Sequence, residues 1–348
     1  MKKRVLSGIR ATGRLHLGNY LGAVKGFLEL QDNPEYETLY CVVDLHATTT
    51  PYDPKTLKSN SRGIIMDYLA CGLDPTKSAL YIQSDLADLI PQLAFYFSTA
   101  VSVAKMQHLP TFKEKVKQHP DNVTMALLNY PILMAADILI YKASLVPVGI
   151  DQEPHLEVAR EIARKMNDVY DTNFPEPKRF ATSGDYVPSL TGEGKMSKSV
   201  DGSFISLTDN LEEIRRKLSR TPTDSGKGTI RKEDPKKYDE EYIKKYISQQ
   251  SSESMGVAVL MEFVELFEGI EKRKEYEDKY VGDGIRYGDL KEELAKAIYK
   301  ELKPIQEKRK YFEQNPAEVN RIIKEGAQKA RKIAEETIEE VKQKMGFI

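Results

Sequence analysis

Two lysines three positions apart, Lys195 and Lys198, stand in the run Lys195-Met196-Ser197-Lys198-Ser199. Thr191-Gly192-Glu193-Gly194 precedes that run and Val200-Asp201-Gly202 follows it. Ammonium groups so spaced on a glycine-flanked loop can hold a strongly anionic group such as a phosphate chain. Far upstream lies Gly13-Arg14-Leu15-His16-Leu17-Gly18-Asn19. A glycine turn that feeds a helix start offers free backbone N–H groups to an anion. Gly18 lets a ligand approach the backbone, and His16 and Asn19 can both donate to a phosphate oxygen. The plainer readings are a solvated lysine run and an ordinary strand–turn–helix junction. Neither segment is a Walker loop or a dinucleotide Gly-x-Gly-x-x-Gly turn.

A different chemistry is suggested by Tyr130-Pro131-Ile132-Leu133-Met134-Ala135-Ala136-Asp137-Ile138-Leu139-Ile140-Tyr141. On a helix, Tyr130, Met134 and Asp137 share one face. A carboxylate embedded in that apolar run needs a donor. The donor is either a protein group from another segment or a ligand. An aromatic amino acid carrying an N–H or O–H, seated between Tyr130 and Met134, fits the second reading.

These residues need elements to hold them. The first half alternates short apolar runs with helical patterns: strands near Val5–Ile9, Leu39–Asp44, Ala79–Gln83 and Leu145–Val148, and helices at Asn19–Gln31, Pro54–Cys71, Leu86–Ser102, Asn122–Tyr141 and Pro154–Asn167. Such alternation predicts an α/β fold with a parallel sheet covered on both faces, and ligands bound beyond the carboxyl ends of the strands. From Asp209 onward no strand is expected, only helices: Asn210–Leu218, Lys237–Gln249, Met255–Phe267, Asp289–Gln314 and Pro316–Met345. The division expected is 1–204 and 205–348, with the terminal helix able to pack back on the first part. With 348 residues, 40% hydrophobic and 30% charged, the chain has room for two domains. A formal net charge of -1 argues against a uniformly basic nucleic-acid wrapper, so an RNA contact would use a local basic face. One candidate is Arg215, Arg216, Lys217 and Arg220, followed by Lys232, Lys236 and Lys237; the alternative is an ordinary charged helix surface. Cys41 and Cys71 lie in apolar runs and read as inert buried thiols. No window approaches a membrane span and no signal peptide is evident, so the default compartment is the cytoplasm.

Taken together, the two phosphate-type segments resemble the HIGH and KMSKS signatures of class I aminoacyl-tRNA synthetases. The second is matched letter for letter, and the first reads His-Leu-Gly-Asn, with Asn19 in place of the final His. The run around Asp137 resembles the amino-acid pocket of bacterial-type tryptophanyl-tRNA synthetases. Val146-Pro147-Val148-Gly149-Ile150-Asp151-Gln152 is similar to that family's Val-Pro-Val-Gly-Glu-Asp-Gln, with Ile150 at the usual Glu. Further similar stretches include Val43-Asp44-Leu45-His46-Ala47, Thr111-Phe112-Lys113-Glu114-Lys115, Thr223-Asp224-Ser225 and Glu325-Gly326-Ala327, so the likeness spans nearly the whole chain.

The resemblance implies a Rossmann-like doubly wound sheet with a C-terminal all-helical, anticodon-binding domain. It implies ATP-dependent activation of L-tryptophan and its transfer to tRNA(Trp) by a homodimer, with Mg2+ carried by ATP rather than by a protein metal site. By the same resemblance Lys195, Lys198, His16 and Lys113 would be catalytic. ATP would be met by Arg10, Ala11, Thr12, His16, Gly18, Asn19, Gly149, Ile150, Asp151, Val187, Lys195, Met196, Ser197, Lys198 and Ser199. Asp137, Tyr130, Met134, His46 and Gln152 would hold tryptophan, with Asp137 accepting the indole N–H. Arg10 stands where many members have Gln, and reads equally as a carboxylate or phosphate anchor or as a surface arginine. With no cysteine after Cys71, the chain cannot build the iron–sulfur cluster that some relatives carry. The alternatives are a tyrosine–tRNA ligase of the same subclass, a nucleotidyltransferase of the same superfold, and a non-catalytic paralogue that binds RNA.

Overall fold

The computed structural model describes residues 2–181, 187–192, 194–198, 200–227 and 252–348. The expected helix Lys237–Gln249, the basic residues Lys232, Lys236 and Lys237, and Ser199 lie outside them. In chain order the strands are β1 (Lys3–Arg10), β2 (Tyr36–Val43), β3 (Ser78–Ile82), β4 (Leu145–Pro147) and β5 (Lys178–Phe180). The helices are α1 (Leu17–Asn19), α2 (Lys25–Asp32), α3 (Asp44–Ala47), α4 (Pro54–Cys71), α5 (Ile90–Ser98), α6 (Val103–His108), α7 (Pro110–Gln118), α8 (Met125–Leu139), α9 (Glu153–Tyr170), α10 (Leu211–Ser219), α11 (Ser252–Glu268), α12 (Ile270–Val281), α13 (Tyr287–Gln314) and α14 (Pro316–Lys344).

All five strands are parallel, in the order β3-β2-β1-β4-β5, a Rossmann-like doubly wound sheet. The order reverses between β1 and β4, so the crevice for a ligand opens where Arg10 and Pro147 end their strands. Buried apolar residues such as Leu6, Leu39, Ile138, Leu139 and Ile162 form the core that fixes those ends, together with Cys41. Cys41 and Cys71 are buried and free.

The expected helix from Asn19 is built otherwise. α1 is a single turn, followed by a π-helical stretch Tyr20–Val24 before α2 begins. Asn19 is not the residue that precedes the helix, which is His16; it sits in that first turn and closes a capping box by accepting from the His16 N–H at 3.2 Å. The expected helix over Leu86–Ser102 is a 3-10 turn Gln83–Leu86 and then α5. Lys113 lies on α7, a helix that Pro110 starts.

Contacts divide the chain into two compact units. The first takes residues 1–14, 21–185 and 308–348, and holds the whole sheet. The second takes residues 15–20 and 186–307. The units are thus discontinuous in the chain, unlike the single cut expected at residue 204. Two couplings explain this. Leu17 N–H donates to the Ile205 carbonyl at 2.8 Å and Leu207 N–H to the Leu15 carbonyl at 3.2 Å, which ties residues 15–20 to the second unit. In the first unit, Gly326 of α14 lies against the backbone of β3: a Cβ there would stand 2.0 Å from the Leu80 carbonyl oxygen.

Candidate active site

The first unit places one set of groups at the carboxyl edge of its sheet. Asp137, near the end of α8, is buried and both its oxygens are engaged. His46 Nε2 lies 2.8 Å from Oδ2, and Gln83 Nε2 donates to Oδ1 at 2.7 Å. The donor that an embedded carboxylate requires is therefore supplied by the protein, by imidazole and amide rather than by a lysine. A carboxylate offers about four acceptor positions, so two remain for a further donor.

Beside this pair stands a second polar cluster around His155, which is buried on α9. Gln152 Nε2 donates to Asp151 Oδ2 at 2.7 Å, so its Oε1 faces His155 Nδ1 at 3.1 Å. The Nδ1–H therefore donates to Gln152, and the single lone pair of Nε2 faces the hydroxyls of Tyr130 at 2.7 Å and Thr111 at 3.0 Å. Burial pulls the His155 imidazole down to about 4, so it is neutral in this relay. Arg10, at the end of β1, donates from Nη2 to the His46 carbonyl at 3.1 Å and to Thr50 Oγ1 at 2.9 Å. Its buried Nε has no hydrogen-bond partner among the described residues. On α7, Lys115 is half-buried; burial first, then the Arg10 charge, lowers its pKa.

The second unit gathers the other set. His16 leads into α1, and its chain pairs with Ser206 in an antiparallel bridge. The Gly18 N–H donates to Met196 Sδ at 3.2 Å, and a Cβ at Gly18 would stand 3.0 Å from the His16 ring and 3.2 Å from Met196 Cβ. Met196 is buried, and its N–H donates to the Val187 carbonyl at 2.9 Å. Gly192 and Gly194 turn the chain before the lysines with φ of 87° and 69°, a region that favours glycine. Burial, then the charges of Lys198 and Lys195, pulls the His16 imidazole down to about 3. The Gly18–Met196 contact makes the two segments, remote in sequence, neighbours. The buried His16 Nδ1 has no hydrogen-bond partner among the described residues. Two cations, a neutral imidazole with an open nitrogen and a crowded glycine make a cradle suited to a polyphosphate.

Residues 1–303 match the family described as tRNA synthetases class I (W and Y). The chain belongs to the class I tRNA synthetases. Along its whole length this synthetase is similar to the tryptophan–tRNA ligase of Helicobacter pylori, 42% identical over 352 residues that cover 100% of this chain and 99% of that one. The corresponding enzyme of Porphyromonas gingivalis is 38% identical over 346 residues, covering 99% of each chain. Among solved structures, tryptophanyl-tRNA synthetase from Campylobacter jejuni, complexed with ADP and tryptophan, superposes with a TM-score of 0.80 at 31% identity, covering 99% of each chain. The expected fold, a doubly wound sheet with a helical C-terminal part, is the one found.

Within this synthetase the residues expected to meet substrates fall into two sets. Arg10, Ala11, Thr12, His46, Lys113, Tyr130, Met134, Asp137, Gly149, Ile150, Asp151 and Gln152 are in the first unit; His16, Gly18, Asn19, Val187, Lys195, Met196, Ser197 and Lys198 are in the second. Ala11 and Val187 are buried, while Thr12, Lys113, Ile150 and Asp151 are exposed. Val187 backs the lysine loop through its carbonyl. Of the basic residues on α10, Arg215 pairs with Glu292 and Lys217 with Asp209, while Arg216 is exposed, as is Arg220 just after the helix. In Thr223-Asp224-Ser225 the carboxylate holds the local turn and its neighbours in place, since Asp224 accepts from the Gly226 N–H and from the hydroxyls of Tyr280 and Tyr287. Sequence reasoning missed Gln83, His155 and Lys115. The signal for the first was a glutamine directly after a buried strand; for His155, a histidine on the apolar face of an amphipathic helix.

Proposed function

We propose that this class I synthetase is a tryptophan–tRNA ligase. It activates L-tryptophan with ATP to tryptophanyl-adenylate, then transfers the amino acid to tRNA(Trp), releasing AMP and pyrophosphate. The observation that carries the substrate assignment is the Asp137 carboxylate, held by two protein donors with acceptor positions left over, on a helix face shared with Tyr130 and Met134. Indole nitrogen is a donor only, so an ionised acceptor among apolar groups suits it. The names of the full-length relatives support the same reading.

In the first step a carboxylate oxygen of tryptophan bonds to the α-phosphorus of ATP. The bond from that phosphorus to the bridging oxygen breaks, and pyrophosphate leaves with the electron pair. Positioning and charge stabilisation dominate such a transfer. Lys195 and Lys198 are assigned to the charge that grows on the leaving pyrophosphate, with His16 and Asn19 completing the cradle and Lys113 as a further contact. Mg2+ arriving with ATP supplies additional neutralisation of the phosphates. In the second step a hydroxyl of the terminal ribose of tRNA attacks the activated carbonyl, and AMP leaves. No protein nucleophile is needed.

The helical part from residue 205 onward is assigned to anticodon binding, with exposed Arg216 and Arg220 as candidate phosphate contacts. A homodimer is supported by large apolar side chains left exposed on helices that pack on one another: Phe95 on α5, Val103 on α6 and Met125 on α8. The compartment proposed is the cytoplasm; among the described residues no helix is long and apolar enough to cross a membrane. The test is ATP–pyrophosphate exchange without tRNA, run with tryptophan and with tyrosine. Exchange with tryptophan alone is expected; exchange with tyrosine alone overturns the specificity, and exchange with neither favours a non-catalytic paralogue.

A further inference from the structure

Gln83 is fully buried at the carboxyl edge of the sheet, directly after β3. Its side chain is pinned at both ends. The Leu45 N–H donates to Oε1 at 3.0 Å, and because that donor fixes the carbonyl end, the amide nitrogen must face Asp137. The turn that carries Gln83 is itself clamped: Ser84 donates from its N–H at 2.9 Å and from its hydroxyl at 2.5 Å to the two oxygens of Asp44. The amide therefore cannot flip or withdraw without leaving a buried donor and a buried acceptor unmatched.

We propose that Gln83 is a positioning residue for amino-acid selectivity, acting through Asp137. Gln83 holds Oδ1 and His46 approaches Oδ2, so the carboxylate cannot rotate about its Cβ–Cγ bond without losing both partners. The two acceptor positions left over then point in fixed directions, and a substrate N–H meets an acceptor already oriented. Gln83 also links that acceptor to Leu45, the neighbour of His46, so one amide sets the register of both groups on the carboxylate. The inference rests on the tryptophan reading of this pocket.

The experiment compares ATP–pyrophosphate exchange for tryptophan and for β-(3-benzothienyl)alanine, in which sulfur replaces the indole N–H with little change of shape. Wild-type protein should prefer tryptophan. Gln83→Met keeps the length and apolar bulk of the side chain but removes the amide. It should lower kcat/KM for tryptophan by about tenfold or more, mainly through KM, as expected for one hydrogen bond to a charged group. The thia analogue should change by far less, so the preference collapses. Equal losses with both substrates, or an unchanged preference, overturn the proposal, because a merely structural role disturbs both alike. Gln83→Leu serves if Gln83→Met is insoluble, with the same ratio read. Wild-type protein that does not use tryptophan at all overturns the functional reading itself, and is distinguished from failure of this inference by the wild-type arm alone.

Discussion

At the residue scale, the lysine loop separates binding from rate. Lys195 is exposed and Lys198 half-buried, and both act on His16 by charge. A lysine that meets charge developing on a leaving pyrophosphate stabilises the transition state more than the bound amino acid. Lys195→Ala should therefore lower ATP–pyrophosphate exchange by about a hundredfold or more while tryptophan affinity, read by equilibrium binding, changes little. Equal losses in the two would remove Lys195 from the transition state. Asp137→Ala should do the reverse, raising the tryptophan KM with a smaller change in kcat, and an unaltered KM would refute its role as acceptor. Asp137 was legible in the sequence because an acid inside an apolar run contradicts its surroundings. Gln83 and His155 were not, because an isolated polar residue shows nothing of its partners: Gln83 meets Asp137 across 54 positions of chain and His155 meets Thr111 across 44.

At the element scale, periodicity served best where one face is buried. The bounds of α4 were read correctly because Asp53 caps its start and Gly72, with φ of 110°, ends it. β5 was missed since its three residues, Lys178-Arg179-Phe180, carry two charges and little apolar signal. What no local pattern shows is how closely elements approach. The Gly326 contact of α14 with β3 leaves no space for a methyl group, because the atom it would strike is backbone and cannot turn aside. Gly326→Ala should destabilise the protein by about 3 kcal/mol, at the upper end of typical overpacking costs. Gly288, on α13 with open space around it, is the control. There the alanine should be neutral or stabilise by up to about 1 kcal/mol through helix propensity. Chemical denaturation of both variants checks the contrast, and a Gly326→Ala protein as stable as the parent would show that α14 shifts without cost.

At the scale of the whole molecule, the sequence reading reached the fold class and allowed the terminal helix to return to the first part, but it did not reach the transfer of residues 15–20 to the second unit, which is made by contacts distant in sequence. The partition has a thermodynamic consequence, since each unit carries its own buried titratable groups. In the first, His155 titrates near its ordinary 6.5 when unfolded but near 4 when folded. Between those values the unfolded chain binds the extra proton, so stability falls as pH falls, by about 1.4 kcal/mol per pH unit. In the second, His16 acts in the same sense from 6.5 down to about 3. Glu262, however, is raised by burial from 4.5 to about 7, so its folded form binds the extra proton and gains stability as pH falls through that range. From pH 6.5 to 4.5 His16 and Glu262 in the second unit act in opposite senses, whereas His155 in the first contributes a one-way loss of about 3 kcal/mol. Melting temperature should therefore drop between pH 6.5 and 4.5. His155→Gln, which keeps a hydrogen-bonding side chain without a titratable ring, should flatten that drop. Glu262→Gln should steepen it by removing the counterweight. If His155→Gln leaves the slope of melting temperature against pH unchanged, the buried neutral imidazole is not what makes the sheet-bearing unit sensitive to acid.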